Sequence, residues 1–398
     1  MQVLILLLFY VLSPILFSHG VNATLGVYMN LIFTAYIALF SCRKIQTASQ
    51  IGLSLKVVKL TFIAAFLLLI TNRFYRMSYL FDCMLCPALF IMIYQATLPK
   101  AKKALLIEFM LILYVVNSFI SFYERTTLTN IFETQWQETW ENDYYNSGLD
   151  FIFRSTALLG HPLNNAFSTA VFMLAILLAP LKKYIKFALW LVGLIALLCF
   201  NARGATVSSV LFFSLYLGYE AFSKHNLKTL LLIMVICFIS LYIYQDIATS
   251  SLMGRFATGE LMDGSANERL RVWLPFEHMD AFDLLLGFTK EKSYLVFKQV
   301  KLVTMENWLA DFIYHMGIPL TLLFIFLYYR IFYRLLLRIS CFDRWFLLGG
   351  FLILSSLNNS LSMGSWPWIW VFCVFYGITY IKSNKDFREK HKKIFQDD

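Results

Sequence analysis

Five arginines are the residues in this sequence best suited to chemistry. Arg154 lies in RSTALLGHP, Arg203 in NARGATV, Arg255 in MGRF, and Arg269 and Arg271 in SANERLRVW. A guanidinium group pairs with two phosphate oxygens at once, which a lysine ammonium cannot do. An arginine near hydrocarbon is costly unless it meets an anion. The arginines therefore predict a diphosphate site, although snorkelling or a local carboxylate partner is the alternative for each of them.

Candidate proton acceptors lie beside two of these segments. Glu306 and Asn307 open the apolar run ENWLADFIYHMGIPL, and His161 ends the segment that holds Arg154. Either Glu306 or His161 could orient or deprotonate an attacking hydroxyl, with Asn307 binding substrate beside it. The alternative for Glu306 is a favourable charge at a helix N-terminus. For His161 the alternative is a structural role at the start of a helix, just before a proline. Asp311 and His315 follow Asn307 on the same helical face, and His315 is predicted to be a buried core histidine.

A pair of tryptophans suggests sugar binding. Trp136 and Trp140 are four residues apart in an acidic, aromatic segment, so they share one face of a short helix. Aromatic faces beside carboxylates suit sugar rings, which stack through C–H bonds and donate hydroxyl hydrogens. The alternative is an aromatic belt at the membrane surface, where tryptophan is common in any case.

The composition indicates the elements that must position these residues. Of 398 residues 59% are hydrophobic and 15% charged, and the mean hydropathy is +0.66. Soluble domains carry about 25% charged residues. We therefore predict an all-α, polytopic membrane protein forming one integral membrane domain over 1–398. Twelve apolar windows are long enough to span a bilayer: 2–19, 22–41, 57–73, 77–97, 104–122, 162–180, 185–200, 204–222, 228–245, 306–329, 344–358 and 365–381.

The basic residues predict the orientation. With both termini cytoplasmic, the inner segments hold 22 of the 34 lysines and arginines, as the positive-inside rule requires. The same arrangement places two long loops, 123–161 and 246–305, on the outer side and a tail, 382–398, in the cytoplasm. The net charge of +10 then reflects topology and contact with anionic membrane lipids, and no nucleic-acid partner is needed.

Motifs for nucleotides and metals are missing from the sequence. There is no P-loop, no GxGxxG at a strand–helix junction, no HExxH and no cysteine–histidine cluster. Cys83 and Cys86 form a C-x-x-C within an apolar run, with no second pair, and are predicted to be buried structural cysteines. We expect no cofactor and no metal.

The arginine segments resemble those of a known family, the O-antigen ligase/polymerase superfamily, which includes the Wzy-type polysaccharide polymerases of bacterial envelopes. RSTALLGHPLN is similar to its Arg-x-x-Gly-x-x-x-Pro-Asn stretch, with the glycine displaced, and NARGATV to its Ser-Arg-Gly-Ala motif, with Ala202 replacing serine. SANERLRVW is similar to its Arg-x-x-x-Trp motif, and DLLLGF to its Pro-Leu-x-Gly step. ENWLADFIYHMGI resembles its (His/Asp)-Asn-x-x-Leu…Gly-Ile helix start, with Glu306 where the ligase branch has histidine.

The resemblance implies a GT-C-like glycosyltransferase of the bacterial inner membrane with a periplasmic active face. Its donor would be an oligosaccharide on undecaprenyl diphosphate, and its acceptor a sugar hydroxyl on a second lipid-linked repeat unit. Arg203 and Arg269 would hold the diphosphate, with Arg154, Arg255 and Arg271 assisting. Glu306 favours a polymerase of O-antigen, capsule or exopolysaccharide, and a chain-length regulator is a candidate partner. An O-antigen ligase, a lipid-linked glycan transporter and a scaffold protein remain as alternatives.

Overall fold

Apolar helices make up almost all of the chain that the structure, a computed structural model, describes. The described residues are 52–71, 73, 80–97, 100–132, 153–223, 271–302, 305, 307–357, 360–362, 364–391 and 394–395. Within them there is no strand, only one isolated bridge between Leu181 and Phe395. The prediction of an all-helical protein is therefore confirmed.

The structure describes twelve α-helices; nine overlap the predicted apolar windows, two lie in the predicted outer loop 246–305 and one lies in the predicted tail 382–398. They are α1 (Gly52–Ile70), α2 (Cys86–Thr97, preceded by a π-helix at Phe81–Leu85), α3 (Lys100–Thr127), α4 (Pro162–Leu178), α5 (Lys183–Cys199), α6 (Arg203–Ser223), α7 (Ala281–Leu286), α8 (Lys290–Gln299), α9 (Trp308–Leu335), α10 (Cys341–Ser356), α11 (Trp366–Ser383) and α12 (Lys385–Lys390). Short 3-10 turns occur at Leu274–His278, Leu336–Arg338 and Ser360–Ser362.

Four described helices are long and apolar enough to cross a membrane: Gly52–Ile70, Leu105–Thr127, Arg203–Ser223 and Trp308–Arg338. Shorter apolar helices occupy Phe81–Gln95 and Pro162–Leu178. The predicted windows 2–19, 22–41 and 228–245 lie outside the described residues. The structure thus supports a membrane protein, and the finer prediction of about twelve spans rests on the sequence.

The chain divides into two compact units. The first comprises Met1–Phe109, Leu261–Ser340 and Ser355–Thr379, and the second comprises Met110–Glu260, Cys341–Leu354 and Tyr380–Asp398. In the first unit α9 packs against α1 and α7, and in the second α4 packs against α5 and α6. Both units bury large aromatic and aliphatic side chains, as apolar helices require.

Helix α9 breaks at Gly317, which lies inside the predicted span 306–329. Gly317 has φ 74° and ψ 169°. The ring of Trp368 contacts Trp308 before the break and Tyr328 after it, at centroid distances of 6.3 and 4.6 Å. Residues 308 and 328 would be about 30 Å apart in a straight helix, so the chain folds back at Gly317. Pro319 then lies in the first turn of the second segment, where its missing N–H costs little.

A second glycine explains why the break occurs there. A Cβ on Gly317 would lie 2.2 Å from the carbonyl oxygen of Leu285, and one on Gly287 would lie 2.6 Å from the backbone carbon of His315. Gly287 also has a positive φ of 83°, and the amide of Phe288 donates to Tyr314 O at 2.7 Å. The two backbones are therefore in direct contact, and only glycine fits at either position.

The described residues of the C-terminal segment pack in the second unit. It contains α12, and the amide of Lys182 donates to Ile394 O at 3.0 Å beside the Leu181–Phe395 bridge. The segment predicted as a tail at 382–398 therefore packs onto the connection between α4 and α5. Lys382 also forms an ion pair with Asp343 at the start of α10.

Candidate functional site

The loop before α4 is held by a buried carboxylate that sequence reasoning missed. Glu124, in the last turn of α3, is fully buried. Its Oε2 accepts hydrogen bonds from the hydroxyl of Ser155 and from the amides of Thr156 and Ala157, at 3.0 and 2.9 Å for the two amides. Its Oε1 accepts from the amide of Ile131 at 2.9 Å. A carboxylate with four donors is well satisfied even without water.

Two asparagines complete the support of this loop. The side-chain oxygen of Asn117 accepts from the amide of Leu158 at 3.1 Å, and that of Asn165 accepts from Leu159 at 3.2 Å. The amide nitrogen of Asn165 donates back to the carbonyl oxygens of Thr156 and His161. Residues 153–161 are therefore fixed by bonds from α3 and α4. The only signal in the sequence was polar residues within apolar windows, at 117 and 165, and a carboxylate just beyond the end of one window, at 124.

This loop, which carries Arg154 and His161, is bonded to the turn that carries Arg203. The amide of Ser155 donates to Cys199 O at 3.1 Å, and Nε of Arg154 donates to Phe200 O at 3.2 Å. Arg203 is the first residue of α6, three positions beyond Phe200. Two predicted arginine segments, far apart in sequence, thus meet at one end of the second unit.

Two helix N-termini lie beside these arginines. Helices α4 and α6, of 17 and 21 residues, both begin here, and a helix N-terminus carries partial positive charge. Arg203 is partly exposed at the start of α6. The Nε of Arg154 donates to the carbonyl oxygen at the C-terminal end of α5. The arrangement is suited to binding an anion with several oxygens.

His161 is the N-cap of α4. Its Nδ1 accepts from the amide of Leu163 at 3.3 Å, and Pro162 occupies the first helical position. Burial, together with the charge of Arg154, lowers the pKa of His161 to about 3. The imidazole is therefore neutral near pH 7. Because the lone pair of Nδ1 accepts the Leu163 amide, the neutral ring carries its hydrogen on Nε2. It can therefore orient a hydroxyl by donating to its oxygen, but it is not placed to remove the hydroxyl proton.

The pKa of His161 predicts a specific pH dependence of stability. An unfolded histidine titrates near 6.5, so between about pH 6.5 and 3 the unfolded state binds a proton that the folded state does not. The free energy of unfolding must then fall as pH falls through this window. His161→Asn keeps the cap without titrating. We expect its melting temperature to drop less between pH 7 and pH 4.5 than that of the wild type, measured by thermal unfolding in detergent. Parallel drops in both proteins would contradict the assignment.

In the first unit, the predicted residues around α9 have structural partners. Asn307 is the N-cap of α9, and its oxygen accepts from the amides of Leu309 and Ala310 at 2.9 and 3.2 Å. One turn on, Nε2 of buried His315 lies 3.2 Å from Oδ1 of buried Asp311. The prediction that His315 is a buried histidine on the Asn307 face is confirmed. A substrate role for Asn307 stays a prediction.

Arg271 is placed beside the same helix. The next residue, Val272, is fully buried, and its carbonyl oxygen accepts from the hydroxyl of Tyr314 at 2.6 Å. Val272 and Tyr314 belong to a small apolar core with Phe288 and Val296. The RVW segment and the first part of α9 therefore meet in this unit, and Arg271 is exposed at its edge.

Five predicted site residues lie outside the described residues: Trp136, Trp140, Arg255, Arg269 and Glu306. Their roles stay predictions. Cys83 and Cys86 are described, and both are buried thiols that form no disulfide.

The described residues contain no group of three or more His, Cys, Asp or Glu side chains that could hold a metal ion. The chain matches no known protein family, no characterised protein and no solved structure.

Proposed function

We propose that the chain is a membrane polysaccharide polymerase, which transfers a glycan from undecaprenyl diphosphate to an acceptor sugar on a second lipid-linked repeat unit. The observation that carries this proposal is the bonding of the Arg154 loop to the turn before Arg203. It brings two guanidinium-bearing segments and two helix N-termini to one end of the second unit. A GT-C-like bundle of about twelve helices belongs to the same proposal.

The physical reason lies in the leaving group. When the acceptor oxygen attacks the anomeric carbon, the bond from that carbon to the diphosphate oxygen breaks and the diphosphate gains charge. Donors already in place at that position lower the barrier without reorganising. Arg203 and Arg154 take this role in the proposal, so no metal is required. The buried network around Glu124 keeps the Arg154 loop in place during the reaction.

Contacts within each unit support the proposed membrane orientation. In the second unit, three segments predicted to be cytoplasmic contain Lys182, Asp343 and Lys382. The C-terminal tail forms a hydrogen bond to Lys182, and Lys382 forms an ion pair with Asp343. In the first unit, Arg73 and Asp283 lie in segments predicted to be periplasmic, and they form an ion pair. Each pair of segments must share one membrane surface. The site would face the periplasm of a bacterial inner membrane.

Reconstitution tests the proposal directly. The purified protein in liposomes is given lipid-linked repeat unit extracted from the source cells, and products are separated by size. A polymerase produces a ladder of lipid-linked polymers and releases undecaprenyl diphosphate. Transfer of pre-formed glycan to lipid A core without a ladder would identify a ligase instead.

A lipid-linked glycan transporter is the second candidate, because of the break in α9. Transporters place ionisable residues beside discontinuous helices, and the Asp311–His315 pair lies just before the break at Gly317. The same liposomes separate the two functions. A transporter would move a fluorescent lipid-linked oligosaccharide to the inner leaflet, where an external quenching reagent cannot reach it. Such protection, without formation of a polymer ladder, would favour transport.

A further inference from the structure

Helix α7, in the loop predicted to lie in the periplasm, exposes its apolar side chains and buries its only charged one. Phe282 and Leu285 are 61% and 50% exposed, whereas the one charged residue of the helix, Asp283, is 1% exposed. A helix in contact with water normally buries its apolar residues and exposes its carboxylates. The outward apolar face of α7 therefore needs a partner that is not water.

The inward face of α7 is a satisfied ionic cluster. Asp283 Oδ1 lies 2.9 Å from Nη1 of Arg73, and Oδ2 bonds to the ammonium group of Lys292. Asp280 and Asp283 also form a reciprocal capping box, and Lys292 lies 2.9 Å from Asp280. This cluster fixes the rotation of the helix, because turning Phe282 inward would break two ion pairs. The outward position of the apolar side chains is thus determined by the fold.

The ends of two membrane helices place α7 at the level of the membrane surface. Arg73 follows α1 by three residues, and Leu69 and Ile70 at the end of α1 are 54% and 65% exposed. The carbonyl of Leu285 lies directly against Gly317, where the second segment of α9 begins. Arg73 thus joins α7 to the exposed apolar end of α1, and the apolar faces of both helices lie near the same membrane surface.

We infer that α7 is a membrane-interface helix, with Phe282 and Leu285 inserted among the lipid acyl chains just below the headgroups. The occupant of this face is the bilayer itself. Arg73, which also lies over the Phe282 ring at 6.0 Å, and Lys292 are cations at the depth where lipid phosphates are found, as in other interfacial helices. Part of the long loop 246–305 is then a membrane-anchored element instead of an aqueous one. This inference does not depend on the proposed enzymatic activity.

Lipid-attached quenchers test the position of α7. Phe282→Cys and Lys298→Cys are made in the full chain with Cys42, Cys237 and Cys341 replaced by alanine, which leaves the buried thiols Cys83, Cys86, Cys199 and Cys373. Each variant is labelled with an environment-sensitive dye and placed in phosphatidylglycerol–phosphatidylcholine liposomes. Lys298 is an exposed charged residue in the last turn of α8 and serves as the control.

For the dye at 282 we expect blue-shifted emission and at least about threefold stronger quenching by a nitroxide on the upper acyl chain than for the dye at 298. Quenching by aqueous iodide should show the opposite order and be stronger for the dye at 298 than for the dye at 282. Leu285→Cys provides a second reporter on the same face if the dye at 282 disturbs folding, judged by size-exclusion chromatography. Water-like emission and strong iodide quenching at both 282 and 285 would overturn the inference, since the liposomes contain no other protein that could cover this face.

Discussion

Replacing Arg203 by lysine is expected to abolish polymer formation almost as completely as replacing it by alanine. Lysine keeps the charge but presents it as a single point, and it cannot bridge two phosphate oxygens. Removing a preplaced donor from a charge-developing transition state costs about 10²–10³ in rate. The measurement is the initial rate of ladder formation from purified lipid-linked repeat unit at equal protein concentration.

A matched control comes from the opposite side of the proposed membrane orientation. Arg330 is exposed, lies over the Phe326 ring at 5.7 Å, and belongs to a segment predicted to be cytoplasmic. Arg330→Lys should keep the wild-type rate. Full activity of Arg203→Lys would mean that charge alone suffices. Full activity of Arg203→Ala would show that Arg203 does not hold the diphosphate.

Hydropathy predicted where the long apolar helices lie, but it did not predict their ends or the short helices α7, α8 and α12. Helix α3 was expected over 104–122 and runs over Lys100–Thr127. The apolar signal stops before Glu124 and Arg125, yet both are buried. They are buried because they bond to the 153–161 loop, including a bond from Arg125 to Phe153 O. A window of local hydropathy contains no information about such distant partners.

The break in α9 shows the same limit more sharply. The residues around Gly317 are apolar on both sides, so a span of 306–329 was a reasonable prediction from composition alone. The helix stops because the backbone of Leu285 lies directly against Gly317. In the same contact, Gly287 lies against the backbone of His315. The glycines are visible in the sequence, but the contact between two backbone segments about thirty residues apart depends on the tertiary structure.

Within the candidate site, the sequence identified the cations but not what holds them. Arg154, Arg203 and His161 stood out by residue type, and the structure places the first of them against the turn before the second. Glu124 did not stand out, because a single acid near the end of an apolar window usually lies at the water boundary. Only its four donors distinguish it as the anchor of the loop.

Glu124→Ala is therefore expected to be the most destabilising single change at this site. It would leave the buried amides of Thr156 and Ala157 and the buried Ser155 hydroxyl without this acceptor, and each buried unsatisfied group costs about 1–3 kcal/mol. After relaxation and water entry we expect a loss of roughly 3–5 kcal/mol in the free energy of unfolding. Thermal unfolding in detergent should then show a lower melting temperature, or the protein should fail to purify as a single species.

Glu124→Gln separates positioning of the loop from folding of the bundle. The glutamine oxygen can still accept from Thr156 and Ala157, but its amide nitrogen then faces the amide of Ile131, which also donates. We expect a folded protein with faster hydrogen exchange at residues 155–158 and a slower polymerisation rate, because the backbone that carries Arg154 is no longer fixed. Glu108→Gln, at an exposed position on the same helix, should change neither. Unchanged exchange in Glu124→Gln would mean that the neighbouring asparagines alone hold the loop, and that the buried carboxylate is dispensable for the placement of Arg154.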